Sequence, residues 1–148
     1  MSRCKNTGSD ISLGYRLKQT QHILRLRMDD ALRYLNLTTP QYAVLSQLEL
    51  RGGISNAELA RVSFITPQTM HAIVSHLERR NLLRRTSDLQ HGRILRTELT
   101  TEGLELVQEA HKIIKKVEDT MTCTMADKDK MLLEKLLAEC FDNLNVDL

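Results

Sequence analysis

Six arginines, Arg79, Arg80, Arg84, Arg85, Arg93 and Arg96, crowd into one short stretch whose only acids are Glu78 and Asp88. A guanidinium binds phosphate through a planar fork, so charge this one-sided suits a polyanion surface. Immediately ahead lies a run from Pro67 to His76. Within it Gln68, Thr69, His71, Ala72, Ser75 and His76 are small or hydrogen-bonding, and no acid appears before Glu78. Glutamine can offer two hydrogen bonds to an adenine edge, and threonine can touch a thymine methyl. The chemistry available here is recognition, with one set of side chains reading bases and another neutralising phosphates. The chain has no glycine-rich phosphate loop, no nucleophile elbow and no H-E-x-x-H. Asp29 and Asp30 are adjacent on a helical pattern, roughly 100° apart, and a solvated face explains them. His71 and His76 stand roughly 140° apart around a helix, which does not suit one metal ion. No catalytic residue, metal or cofactor is expected.

Such a surface needs a helix held by a rigid neighbour. Thr66 suits an N-cap and Pro67 the first helical position, so a helix should run from Thr66 to about Arg80. Met70, Ile73, Val74 and Leu77 recur at offsets of three, four and seven, which makes one buried stripe opposite the polar face. A surface helix of no special role can show the same face; the flanking arginines favour a recognition helix in a major groove. Asn81 stands where a left-handed C-cap is expected. A preceding helix should open at Ser55, with Glu58 completing a capping box, and run to about Val62 over Leu59 and Ala60. Phe64 and Ile65 are expected to turn the chain as core anchors. After Asn81, Leu82–Thr86 and Ile94–Leu99 read as two strands joined by a polar hairpin loop from Ser87 to Arg93. Helix, helix, hairpin is a winged helix-turn-helix. It places Asp88, Gln90, His91 and Arg93 on the wing, and Ser55, Arg79, Arg84 and Arg85 where phosphates pass.

The flanking segments are helical. Leu17, Leu24, Met28, Leu32 and Leu35 share one stripe of a helix from Ile11 to Leu35. Thr39-Pro40 repeats the cap-plus-proline start for a helix to Leu50 that buries Tyr42, Val44, Leu45 and Leu48, and Gly52-Gly53 ends it. Thr100 caps a helix whose Leu104, Val107, Ala110, Ile114, Val117 and Met121 form a seam. A last helix carries Leu133, Leu136, Leu137, Cys140, Phe141 and Leu144. These helices lie outside the DNA-reading unit and are too apolar on one face to stay exposed. Leu17, Leu104, Val107, Leu133, Leu137, Phe141 and Leu144 are therefore expected at a homodimer interface. The fold class expected is mainly α with a small β-hairpin wing. Residues 1–10 would form a disordered tail, 37–99 the DNA-binding domain, and 11–36 with 100–148 the dimerisation region.

The 148 residues suffice for one domain with a sizeable core, or for one lobe plus a dimerisation element. With no tryptophan, three tyrosines and two phenylalanines, that core must be mainly aliphatic. Residues 1–97 hold fifteen Lys+Arg against seven Asp+Glu, whereas residues 98–148 hold six against twelve. All thirteen arginines fall in the first part, so that part should meet the polyanion. No apolar run approaches the roughly 18 residues of a membrane span. Met1 to Asp10 lacks the apolar segment of a signal peptide, so a cytoplasmic location is expected. Cys4, Cys123 and Cys140 form no C-x-x-C pair, and an odd count in that compartment argues for free or buried thiols.

The order of elements resembles the multiple antibiotic resistance regulator (MarR) family of dimeric winged-helix repressors, over Ile11 to Leu144. The most specific stretch runs from Leu37-Thr38-Thr39-Pro40-Gln41 to Leu99-Thr100-Thr101-Glu102-Gly103. The family wing reads Asp, two residues, Asp, Gly or Arg, then Arg, and closes with Leu-Thr-x-x-Gly. Asp88, Gly92, Arg93, Leu99, Thr100 and Gly103 match it. His91 stands where a second acid is usual, and Asn81 where a glycine is usual. The resemblance implies a homodimer on a pseudo-palindromic operator, with Arg93 in the minor groove and Asp88 supporting the wing arginine. It also implies release of DNA by a small phenolic or lipophilic effector, whose binding residues it does not name. The family's sensor cysteine lies near the start of the first helix; Cys4 lies upstream, and that role is not carried onto it.

Two other classes fit the sequence less well. An enzyme finds no motif to support it. A winged-helix adaptor or antirepressor that binds protein instead of DNA has little reason to keep both the polar face of Gln68–His76 and Arg93.

Overall fold

The computed structural model describes residues 11–146. The tail expected at residues 1–10, with Cys4, lies outside them. Six α-helices and three short strands follow one another: α1 Leu13–Leu32, extended by a 3-10 turn at Arg33–Leu35, α2 Thr39–Leu50, β1 Ile54–Ser55, α3 Asn56–Val62 and α4 Pro67–Arg79. Then come β2 Leu83–Ser87, β3 Leu95–Leu99, α5 Thr101–Met121 and α6 Asp127–Asn145. The chain divides into two compact units, one ending at Val117 and one beginning at Glu118. Among the described residues no helix is long and apolar enough to cross a membrane.

The first unit is built round an aliphatic core. Val44, Leu45 and Leu48 of α2, Leu59 and Ala60 of α3, and Met70, Val74 and Leu77 of α4 are buried together. The expected stripes of those three helices therefore all point inward. The core also takes Leu32 from α1 and Val107, Ala110 and Ile114 from α5, so the flanking helices complete it. Val107 is thus a correction: expected at a dimer seam, it is 0% exposed inside its own lobe.

Helix starts follow side-chain caps, with two shifts from expectation. Thr38, not Thr39, caps α2: its hydroxyl accepts from the Gln41 amide at 3.4 Å, and the Gln41 side chain accepts from the Thr38 amide at 3.0 Å. Thr39 instead donates both its amide and its hydroxyl to Asp29 of α1, each at 2.7 Å. At α3 only half of the expected capping box forms. The Ser55 hydroxyl accepts from the Glu58 amide, while the Glu58 carboxylate faces Arg61 at 3.7 Å.

Three helix ends close in the same way. Asn36, Phe64 and Asn81 adopt left-handed backbone, with φ of 53°, 55° and 57°. The residue after each, Leu37, Ile65 or Leu82, returns its amide to the carbonyl of Leu32, Ala60 or Leu77. This is the paired closure in which an apolar residue just past the left-handed one folds back on the helix. Leu37 and Leu82 are buried and Ile65 packs on the core. The expectation for Phe64 is corrected: the left-handed turn sends its side chain outward, and it is 83% exposed.

The sheet is antiparallel in the order β1-β3-β2, with Leu83 opposite Leu99 and Arg85 opposite Thr97. Strand β1, which the sequence pattern did not suggest, pairs Ile54 with Thr97 and Ser55 with Arg96. The Thr100 hydroxyl accepts from the Gly103 amide at 3.0 Å and donates to the Asn81 carbonyl at 2.7 Å. At this corner a Cβ on Gly103 would lie 1.8 Å from the Leu82 carbonyl oxygen. Gly103→Ala must therefore push α5 away from the end of α4. It should cost about 2 kcal/mol or more, read as a lowered urea midpoint; unchanged stability would mean that this corner is not closed.

Candidate nucleic-acid interface

Helix α4 turns its two faces to different environments. Met70, Val74 and Leu77 are buried, whereas Pro67, Gln68, Thr69, His71, Ala72 and His76 are exposed and Ser75 is half-buried. The polar series read from the sequence is thus one open face. Its start is fixed by Thr66, whose Oγ1 accepts from the Thr69 amide at 3.3 Å and donates to Thr69 Oγ1 at 2.9 Å. The Thr69 hydroxyl serves the helix start as well as the open face.

The arginine cluster separates into two groups. Arg80 donates to the carbonyls of Asn36 at 2.6 Å and Leu35 at 3.3 Å, tying the end of α4 to the end of the first helix. Arg85, expected at a phosphate, donates from Nε to Glu78 Oε2 at 3.0 Å and forms a second bond through Nη2, and only 20% of its side chain is exposed. That pair joins α4 to β2, and the Arg85 bond holds the Glu78 carboxyl below its ordinary range. Arg96 is engaged at the wing. Arg79, Arg84 and Arg93 remain exposed. Arg84 meets Glu98 at 3.4 Å, but 66% of its side chain is open to water. An exposed pair of that kind contributes little and yields readily to a phosphate.

The wing is held by one carboxylate. Asp88 Oδ1 accepts from the amides of Gln90 at 2.8 Å and His91 at 3.3 Å. Its Oδ2 accepts from Arg96 Nε and Nη2, each at 2.8 Å. Arg96 also donates to the Gly53 carbonyl at 3.3 Å, which fastens the loop to the sheet. The arginine supported by Asp88 is therefore Arg96 and not the expected Arg93. The fork was legible as charge, but its partner depended on the β3 register. Gln90, His91, Gly92 and Arg93 stand exposed beyond the clamp. Ser55, at the start of α3, is half-buried with its hydroxyl used as a cap. Among the described residues no group of three or more His, Cys, Asp or Glu side chains is placed to hold a metal.

The residues expected at a dimer interface divide similarly. Leu17, Leu104, Leu137, Phe141 and Leu144 are exposed to between 38% and 79%, and Leu133 is half-buried. Leu13, Tyr15, Leu132 and Leu136 add exposed apolar surface on α1 and α6.

Comparison with known proteins agrees with this geometry. The model of the MarR family matches residues 35–94. The HTH-type transcriptional repressor Rv2887 of Mycobacterium tuberculosis is 34% identical over 131 residues, covering 86% of this chain and 94% of the relative. The crystal structure of that protein with salicylic acid superposes with a TM-score of 0.75 at 29% identity, covering 89% of this chain and 98% of the other. The transcriptional repressor CouR, solved on a 23-mer DNA duplex, gives a TM-score of 0.81 at 27% identity, covering 87% and 92%.

The wing clamp carries a pH dependence. Hydrogen bonds from the Gln90 amide first, then from Arg96, lower the Asp88 pKa, and Arg85 lowers that of Glu78. A carboxyl depressed in the folded state contributes stability that is present above its unfolded value, near 4, and is lost as pH falls through the folded value. The melting temperature should therefore drop on acidification below about pH 4, and the drop should be shallower in Asp88→Asn and Glu78→Gln. Thermal denaturation across that range checks it; parallel wild-type and variant curves would refute the clamp.

Proposed function

Because the chain belongs to the MarR family of winged-helix transcriptional regulators, we propose that it binds a pseudo-palindromic DNA operator as a homodimer and represses transcription. The observation that carries this reading is the open polar face of α4 beside three exposed arginines, with every nearby acid engaged by a cation or an amide. Gln68, His71, Ala72, Ser75 and His76 read base edges in the major groove. Pro67 and Thr69 set the helix start against the groove. Arg93, carried on the clamped loop with Gln90 and His91, enters the minor groove, where a narrow A·T stretch attracts a guanidinium. Arg79 and Arg84 meet phosphates, with the hydroxyl proton of Ser55 as a further donor. Asp88 and Arg85 shape the surface from within.

The dimer follows from exposed apolar surface. Helix α6 shows Leu132, Leu136, Leu137, Phe141 and Leu144, and α1 shows Leu13, Tyr15 and Leu17. That much leucine in water is what an obligate subunit interface covers. A two-fold dimer then presents two α4 helices to two half-sites. Effector release is carried over from the salicylic acid complex of the mycobacterial relative. The ligand proposed is a small aromatic acid or phenol. The protein carries out no catalysis in this reading, and it works in the cytoplasm, where the DNA is.

Light scattering at low micromolar concentration should give twice the chain mass, and Leu137→Glu should shift it to monomer. A folded wild-type monomer would remove the basis for palindromic recognition.

Selection from random DNA should yield a palindrome, and two variants separate base reading from charge. Gln68→Ala should relax sequence preference by about 1–3 kcal/mol while leaving random DNA bound nearly as well. Arg84→Ala should weaken all sequences alike and lower the salt slope by roughly one per lost phosphate contact. If the two proved indistinguishable across a salt series, α4 would not be the base-reading element.

A further inference from the structure

Outside the DNA-facing surface, the most fully built cluster of titratable side chains joins α2 to α5. Tyr42 Oη lies 2.8 Å from His111 Nδ1, and His111 Nε2 lies 2.6 Å from Glu49 Oε2. One neutral tautomer satisfies every group: Nε2–H donates to the carboxylate, and Nδ1 accepts from the phenol. The Tyr42 and His111 rings also meet edge to face, with centroids 5.5 Å apart at 79°.

The placement on the helices gives the cluster its meaning. Tyr42 and Glu49 are seven residues apart, so they share one face of α2 two turns apart, roughly 10 Å along its axis. The imidazole of His111 reaches both with opposite edges of one ring. Val44, Leu45 and Leu48 of α2 and Val107, Ala110 and Ile114 of α5 belong to the same buried core. Apolar burial is not directional and tolerates small slides and rotations. Hydrogen bonds weaken steeply with misalignment. A shift of α5 along α2 would lengthen one of the two bonds, and a rotation would break both. His111 and Glu49 keep 39% and 25% of their side chains exposed, so the net contribution to stability is small while the geometric constraint remains.

We propose that Tyr42, His111 and Glu49 form a positioning bridge that sets the orientation of α5 on the DNA-reading lobe, and thereby the half-site spacing that the dimer accepts. None of the three lies on α4 or on the wing. The inference rests on the reading of the chain as a dimeric operator-binding protein. In that reading α5 is one continuous helix from the lobe into the residues that follow it, so the hold of α2 on α5 bears on how far apart the two α4 helices of the dimer stand. A few degrees at this joint become ångströms at the groove.

The test uses the full chain and the palindrome selected from random DNA, together with versions whose central spacer is one base pair longer or shorter. Wild type should prefer the selected spacing by about tenfold or more. Tyr42→Phe and His111→Ala should reduce that preference to about threefold or less. Their affinity for random DNA and their dimeric mass should stay at wild-type values. Glu49→Gln, which keeps an oxygen acceptor for Nε2–H, should retain the preference. The ratio is insensitive to simple loosening of the fold, because the same folded population binds all three DNAs. Wild-type spacing preference in both Tyr42→Phe and His111→Ala would overturn the bridge alone. A wild-type protein that selects no sequence would overturn the regulator reading and the bridge with it.

Discussion

The contact between Gly103 and the Leu82 carbonyl is the joint on which the other elements turn. Three elements meet there: the end of α4, the start of β2 and the start of α5. Asn81 takes left-handed backbone so that the Leu82 amide can return to the Leu77 carbonyl, and Leu82 is thereby buried. The Thr100 amide donates to the Leu82 carbonyl at 3.2 Å while its hydroxyl caps α5. Only a glycine at 103 lets these backbones come so close. The wing leaves this corner on one side and α5 on the other, so α4 and the wing hold a fixed relation to each other. A face that reads DNA needs such rigidity, because hydrogen-bond discrimination between bases depends on ångström-level placement.

Electrostatics then sorts a basic cluster into two tasks. Arg80, Arg85 and Arg96 are turned inward to carbonyls and carboxylates, and each ties together elements distant in sequence. Their pairing also silences Glu78 and Asp88, which would otherwise repel a phosphate backbone. Arg79, Arg84 and Arg93 stay exposed. Charge in this region therefore does two kinds of work. The inward arginines build the shape that presents the outward ones, and both kinds are needed for a surface that is positive and also ordered.

The bridge at Tyr42, His111 and Glu49 extends the same logic to the joint between α2 and α5. The apolar core supplies the cohesion between the lobe and its flanking helices, and directional polar contacts at its rim supply the angle. The core crosses from the winged-helix segment into α1 and α5. The lobe is thus not separable from the first part of α5. The second unit, from Glu118, keeps Leu132, Leu136, Leu137 and Leu144 exposed.

Periodicity and capping chemistry by themselves determined most of this fold. The stripes Met70, Val74 and Leu77, and Val44, Leu45 and Leu48, are read directly from offsets of three and four, because a helix repeats every 3.6 residues. Thr66-Pro67 and Asn81 mark both ends of α4, because an N-cap oxygen and left-handed backbone each demand particular residues. The polar face of α4 is legible for the same reason: once the stripe is assigned, the opposite side is assigned too. Tertiary structure alone decided the partners. Whether an arginine reaches a phosphate, a carbonyl or a carboxylate depends on which strand lies beside it, and the register Thr86 opposite Arg96 is what brings Arg96 to Asp88. Phe64 looked like core because it is large and apolar, yet its backbone turns left-handed and directs it to water. Val107 looked like interface, yet it is buried in the core of its own lobe. In each case the residue type states what a side chain can do, and only the packing of distant segments settles which neighbour it meets.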